Sequence, residues 1–108
     1  MWIFLNNAYV SIVAHGDRPD TLLVRARAVG DIERVFPTAD VWEDSTADYR
    51  FRALIDRDFV SHAISAQVRG IDYDNFKGSV EELDRHDAYF GVWGEMLRFQ
   101  ARREKVKP

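Results

Sequence analysis

The stretch WIFLNNAYVSIVAH, residues 2–15, decides the fold, because it has the pattern of two short strands joined by a tight turn. Apolar, aromatic and β-branched residues dominate both halves, as is typical of strands. Asn6 and Asn7 separate the halves, and asparagine tolerates the left-handed conformation that we expect a two-residue hairpin turn to require. Such a turn fixes the register, which pairs Leu5 with Ala8, Ile3 with Val10 and Met1 with Ile12.

The two faces of this predicted hairpin differ in character, because side chains alternate across a strand. One face is aliphatic and carries Ile3, Leu5, Ala8, Val10 and Ile12. The other face is largely aromatic and carries Trp2, Phe4, Tyr9 and Ser11. We expect the aliphatic face to form the core.

Three further segments favour strands in the same sheet. TLLVRARAV, residues 21–29, places its arginines on the face opposite Leu22 and Val24. DYRFRALID, residues 48–56, alternates in the same way, with Tyr49, Phe51, Ala53 and Ile55 expected on the aliphatic face and Arg50, Arg52 and Leu54 on the other. DVWED, residues 40–44, is short enough to be an edge strand.

Helices are predicted mainly in the second half of the chain. GDIERVFP, residues 30–37, indicates a short helix, and residues 56–70 a longer one from an Asp56 N-cap to a Gly70 stop. The last helix is expected from Asp84 to about Arg102, with an apolar stripe covering half its circumference. This order predicts an α+β two-layer domain over residues 1–108, in which two longer C-terminal helices pack on one face of an antiparallel sheet.

Composition bounds the classes of function. The 108 residues include no cysteine, which excludes disulfides and thiolate metal sites and favours a reducing cytoplasm. The opening MWIFL lacks the basic flank of a signal peptide, and no apolar run approaches the roughly 20 residues of a membrane span. A formal net charge of −3 disfavours non-specific nucleic-acid binding.

The stretch SVEELDRHDAYFGVWGEM, residues 79–96, places a histidine among carboxylates. Glu82 and His86 have the i,i+4 spacing of two helical metal ligands, but a third ligand is not predicted nearby. The favoured interpretation is a helix start, with Asp84 as N-cap and Asp87 reaching back. The sequence also lacks nucleophile, phosphate-loop and dinucleotide motifs. We therefore expect a protein that is not an enzyme and takes no metal or cofactor, with a small histidine–carboxylate enzyme as an alternative.

The face opposite the aliphatic one is the candidate binding site. It collects arginines from two strands and aromatic residues from the hairpin: Arg25, Arg27, Arg50, Arg52, Trp2, Phe4 and Tyr9. Arginine and large aromatic residues dominate the energetics of protein interfaces, so a protein partner is expected, with a homodimer through the sheet as one form. Single-stranded nucleic acid is the alternative ligand. A solvated face whose arginines pair with Glu33, Glu43 or Asp44 requires no partner.

Two stretches, MWIFLNNAYVSIVAHGDRPDTLLVRAR (residues 1–27) and NFKGSVEELDRHDAYFGVW (residues 75–93), resemble short bacterial proteins of about this length, with ADYRFRALIDRDF (residues 47–59) between them. The resemblance implies a bacterial or phage-associated cytoplasmic protein and carries over no functional residue. By analogy with small proteins of mobile elements, it suggests an inhibitor or accessory factor, anti-CRISPR proteins being an example.

Overall fold

The computed structural model describes residues 1–105 and divides the chain into two compact units, Met1–Asp72 and a second from Tyr73 onward. The elements of the first unit are β1 (Trp2–Leu5), β2 (Ala8–His15), β3 (Arg18–Ala26), α1 (Asp31–Val35), β4 (Trp42–Glu43), β5 (Phe51–Asp56) and α2 (Arg57–Arg69). The second unit holds a 3₁₀ turn (Lys77–Ser79) and α3 (Leu83–Lys105). The α+β class, with an N-terminal hairpin and two longer helices after the sheet, is confirmed.

The five strands form one antiparallel sheet in the order β1-β2-β3-β5-β4. The predicted hairpin register is confirmed, since Leu5 pairs with Ala8 and Ile3 with Val10. Met1 extends the pairing, because its amino group donates to the carbonyl of Ile12 at 2.7 Å.

The prediction that Asn6 and Asn7 adopt the left-handed conformation is wrong. No residue other than glycine has a positive φ within residues 1–105, so Asn6 and Asn7 stay out of the left-handed region. A two-residue turn can close a hairpin without positive φ, although its twist matches the strands less well. The Arg34 guanidinium donates to the Asn7 carbonyl at 2.6 Å and ties this turn to α1.

The aliphatic sheet face forms the core of the first unit, as expected. Helices α1 and α2 contribute Ile32, Val35 and Val60 to the buried cluster. The strands contribute the following residues to the same cluster: Ala8, Val10, Ile12, Val24, Ala26, Ala53 and Ile55. Helix α2 begins as predicted, because the Asp56 carboxylate accepts the backbone N–H groups of Asp58 and Phe59.

Asp31 is a buried carboxylate at the start of α1, and it joins this helix to the sheet. Its Oδ2 accepts the backbone N–H of Tyr9 in β2 at 2.9 Å, and its Oδ1 lies 3.6 Å from the Arg34 guanidinium. Gly30 precedes it at a φ of 88°, a left-handed conformation that favours glycine. The side chain of Asp31 therefore supplies a hydrogen-bond acceptor for the backbone N–H of Tyr9.

The second unit packs its 3₁₀ turn against the beginning of α3. The ring of Phe76 stacks on the ring of Tyr89 at 5.8 Å, and the Lys77 ammonium lies 4.8 Å from the centre of the Trp93 ring. Val80 and Tyr89 are buried. This small cluster fixes the turn on the helix.

Two expectations for α3 need correction. The helix begins at Leu83, and Asp84 lies inside its first turn, where its carboxylate accepts the N–H of Arg85 instead of capping the helix. The backbone N–H of His86 already bonds the Glu82 carbonyl at 2.8 Å, so the hydrogen-bonded turn starts earlier than predicted. The apolar stripe of α3 was expected to be buried, but most of its side chains are exposed.

Candidate functional site

One row of side chains crosses all five strands on the face opposite the core. The pairing aligns Trp2 with Ser11, Ser11 with Arg25, Arg25 with Arg52, and Arg52 with Trp42. Residues directly opposite each other in antiparallel strands share a face. We call this set the Trp–Arg row: Trp2, Ser11, Arg25, Arg52 and Trp42. At about 4.8 Å per strand, its ends lie roughly 19 Å apart.

The two tryptophans of the row are exposed, at 67% for Trp2 and 44% for Trp42. They occupy the two edge strands, β1 and β4, so neither has a neighbouring strand on its outer side. A tryptophan exposed to this extent keeps much apolar surface in water, which a partner can cover. The row therefore carries an apolar anchor at each end.

An apolar row runs parallel to the Trp–Arg row on the same face. Val13 pairs with Leu23, and Leu23 pairs with Leu54. Leu54 is 38% exposed, whereas Val13 and Leu23 are half-buried. The Trp–Arg row, these three residues and the adjacent Phe4, Tyr9, Arg27 and Tyr49 are together called the arginine face below.

The centre of the arginine face is organised around Tyr49. The guanidinium carbons of Arg25 and Arg27 lie 4.4 and 4.0 Å from the centre of its ring. Arg25 also donates from Nη2 to the buried Ser11 hydroxyl at 2.8 Å. These contacts hold both arginines in place, so their ordering costs little when a partner binds.

Tyr49 was expected on the aliphatic face, and that prediction is wrong. The strand β5 starts at Phe51, so Tyr49 lies before the regular alternation begins. Its hydroxyl contacts the Tyr9 hydroxyl at 3.2 Å, on the side of the sheet that carries Arg25.

The pKa values of Tyr9 and Tyr49 are shifted in opposite directions. Burial raises the pKa of Tyr9 to about 12, and the hydrogen bond to Tyr49 acts in the same direction. Burial also acts to raise the pKa of Tyr49, but hydrogen bonds with Tyr9 and Ser11, together with the Arg27 charge, outweigh it and lower that pKa. The distance between the two hydroxyls is compatible with either one as the donor.

The other arginines of the predicted site also have partners inside the protein. Arg52 donates to the Tyr49 carbonyl at 3.2 Å, and Arg27 donates to the Asp48 carbonyl at 2.8 Å. Arg50 forms an ion pair with Glu43 at the edge of the sheet, one of the pairings foreseen for a solvated face. Both members of this pair are exposed, which makes it a weak constraint.

All seven predicted site residues lie in the first unit, and the structure brings most of them together. Trp2, Arg25 and Arg52 belong to one row, and Phe4 stacks on Tyr9 at 4.6 Å in the pair beside it. Sequence reasoning missed Trp42 and Tyr49 as members of the face. Alternation cannot assign a face to a two-residue strand or to a residue before a strand.

The histidines lie on separate elements: His15 ends β2, His62 lies in α2 and His86 in α3. The Nδ1 atom of His86 is 3.9 Å from a carboxylate oxygen of the exposed Asp87. Within residues 1–105, no three histidine or acidic side chains are grouped closely enough to hold a metal ion.

A groove of about 300 Å³ on the first unit is lined in part by Phe36, Ala39 and Phe59, with Asp40 and Asp56 among its polar residues. Leu54 of the arginine face also lines this groove, whereas no residue of the Trp–Arg row does. None of the helices in the described part of the chain combines the length and hydrophobicity needed to cross a membrane.

Comparison with known proteins finds no match for the chain among family models, curated proteins or solved structures. The bacterial or phage setting implied by the sequence resemblance therefore stays an expectation.

Proposed function

We propose that this protein is a non-enzymatic binding module that recognises a protein partner through the arginine face. The observation that supports this most strongly is the Trp–Arg row, with an exposed tryptophan at each end and two arginines between. Tryptophan and arginine are enriched among the residues whose truncation costs an interface most. The module is proposed to act in the cytoplasm as a small inhibitor or accessory factor.

The chemistry of the face favours a partner that is apolar in places and acidic in others. Trp2 and Leu54 offer exposed apolar surface, and the arginines offer guanidinium groups for carboxylates. Arg52 is held against the Tyr49 carbonyl and lies 3.6 Å from Asp48, so its geometry is set before binding. A partner carboxylate could replace Asp48 beside Arg52 without reordering that side chain.

Single-stranded nucleic acid is the weaker candidate. Bases bind such sheets by stacking on open aromatic faces. Here Phe4 stacks on Tyr9, and two guanidinium groups lie over Tyr49, so these rings already have contacts within the protein. The net charge of −3 also repels the negatively charged phosphates of nucleic acid at long range. A histidine–carboxylate enzyme has less support still, because the carboxylate that lies 3.9 Å from His86 belongs to the exposed Asp87.

The proposal is tested by affinity capture from the source cells, with captured proteins identified by mass spectrometry. Three baits are compared: wild type, Trp2→Ser/Trp42→Ser, and Val68→Ser. Val68 is the control, because it is an exposed apolar residue in α2, outside the arginine face and outside the groove that Leu54 lines. We expect a protein that wild type and Val68→Ser retain and the double variant loses. Equal recovery by all three baits would contradict the proposal.

A binding assay with single-stranded RNA and DNA over a salt series separates the two ligand classes. Phosphate contacts make affinity fall steeply with salt. We expect no salt-sensitive binding that depends on Trp2 and Trp42. Such binding, lost in the Trp2→Ser/Trp42→Ser variant, would favour the nucleic-acid alternative.

A further inference from the structure

Helix α3 presents a wide apolar surface to solvent. Six large side chains between residues 90 and 99 are exposed, at fractions from 41% for Val92 to 55% for Met96. We call this set the apolar face of α3: Phe90, Val92, Trp93, Met96, Leu97 and Phe99. At 3.6 residues per turn they cover about half of the helix circumference.

The exposed area of this face is as large as the largest apolar patch of a typical monomer, and such a patch is often functional. The three aromatic side chains offer 150–250 Å² each in full, so at these fractions they expose on the order of 300 Å² in each copy, and Val92, Met96 and Leu97 raise the total to roughly 500 Å². The largest apolar patch of an ordinary monomer is about 300–600 Å². Two copies burying this face against each other would remove about 1,000 Å², the lower end of specific interfaces.

The charges on either side of the apolar face are opposite in sign. Residues 81–87 hold four acids and one arginine, a net charge of −3 with His86 neutral. Residues 98–105 hold four bases and one acid, a net charge of +3. Some of these groups pair within the helix, such as Arg98 with Glu95 at 2.8 Å, but exposed pairs of this kind exchange readily.

We propose that the apolar face of α3 is the interface of a homodimer, in which α3 of one copy packs antiparallel against α3 of a second copy. The centre of the face lies between residues 94 and 95. A two-fold axis there sets residues 84–87 of one helix beside residues 102–105 of the other, so acidic ends meet basic ends twice. Antiparallel packing also opposes the two helix dipoles. A parallel pair would instead place like charges together.

The apolar face of α3 and the arginine face share no residue. The proposal of a homodimer and the proposal of a protein partner can therefore be tested separately. A two-fold pairing is self-complementary, because each copy supplies both the acidic and the basic end. The dimer would present two arginine faces, and it would raise affinity for a partner that has two copies of its own site.

The oligomeric state of the full chain tests the proposal by light scattering during size-exclusion chromatography. We expect twice the chain mass of 12.5 kDa for wild type. Met96→Glu places a charge in the apolar face and should give a monomer. Gly91→Glu is the matched control, because it adds the same charge on the opposite side of α3, where a Cβ meets no atom within 4 Å. It should remain a dimer.

A monomeric wild type at all concentrations would overturn the proposal, and would indicate that the face is covered within one chain or by another protein. A wild-type dimer that Met96→Glu leaves intact would also overturn it. If Trp2→Ser/Trp42→Ser dissociated that dimer instead, the sheet would be the interface. Circular dichroism checks that each variant folds.

Cross-linking tests the antiparallel orientation, and the cysteine-free sequence makes it direct. His86→Cys and Arg103→Cys place single thiols at positions that a two-fold axis between residues 94 and 95 brings to the same level. With a short bismaleimide, we expect cross-linked dimers only when the two variants are mixed. Cross-links within either variant alone would indicate a parallel pair and contradict the proposed orientation.

Discussion

The guanidinium carbon of Arg25 lies 4.4 Å from the centre of the Tyr49 ring and connects β3 to the segment that precedes β5. The same side chain donates to the buried Ser11 hydroxyl in β2. Arg25 thus links three parts of the arginine face and supports the surface on which it lies. Arg50, whose ion pair with Glu43 is exposed, has no comparable role in the contacts described above.

Arg25→Ala is therefore expected to destabilise the protein by about 2 kcal/mol, because it removes a charged hydrogen bond and leaves a buried hydroxyl without its donor. Arg50→Ala is the control and should cost about 0–1 kcal/mol, as exposed ion pairs do. Urea unfolding of both variants measures the difference. Equal stabilities would show that Arg25 contributes to the fold no more than a surface arginine.

The Tyr9–Tyr49 pair predicts a tyrosine that resists ionisation. Its pKa of about 12 means that folded Tyr9 keeps its proton above pH 10, where an unfolded tyrosine loses it. The folded state then binds more protons, so this group lowers stability as the pH rises from about 10 to 12. The lowered pKa of Tyr49 acts in the opposite sense, favouring the folded state as the pH rises toward 10.

Absorbance titration of tyrosinate checks this assignment. We expect the highest transition to disappear in Tyr9→Phe. In Tyr49→Phe it should move down toward the ordinary value, because the hydrogen bond that helps Tyr9 retain its proton is gone. A highest transition that neither variant alters would contradict the hydrogen-bonded pair.

Asp31 gives a prediction for the junction of α1 and the sheet. Asp31→Ala leaves the Tyr9 backbone N–H without its 2.9 Å acceptor, and a buried donor left unpaired costs about 1–3 kcal/mol. Asp31→Asn retains an oxygen acceptor and should cost less. Thermal unfolding of the pair provides the comparison. Should Asn prove as costly as Ala, the hydrogen bond to Tyr9 would not be the source of the effect.

Sequence periodicity predicted the strands whose two faces differ most. Ile3, Val10 and Val24 follow the two-residue alternation and lie in or against the core as expected. The same logic fails for Tyr49, which precedes its strand, and for Trp42, whose strand has only two residues. In both cases the face is set by contacts distant in sequence, which a local pattern does not contain.

The apolar stripe of α3 shows a different limit. A helical period indicates that one side of a helix avoids water, but it does not indicate which surface covers that side. Trp93, near the middle of the stripe, is 46% exposed. Burial by a second copy and burial within one chain produce the same pattern in sequence.

The claim that the arginine face binds a protein is tested most directly by site-specific photo-cross-linking in the source cells. A photoreactive amino acid replaces Leu54, which is exposed beside the Trp–Arg row, or Val68, which is exposed in α2 as the control. We predict that the probe at residue 54 captures one defined protein, that Trp2→Ser/Trp42→Ser removes this product, and that the probe at residue 68 does not form it. No product at residue 54, or the same products at both positions, would contradict the proposed binding face.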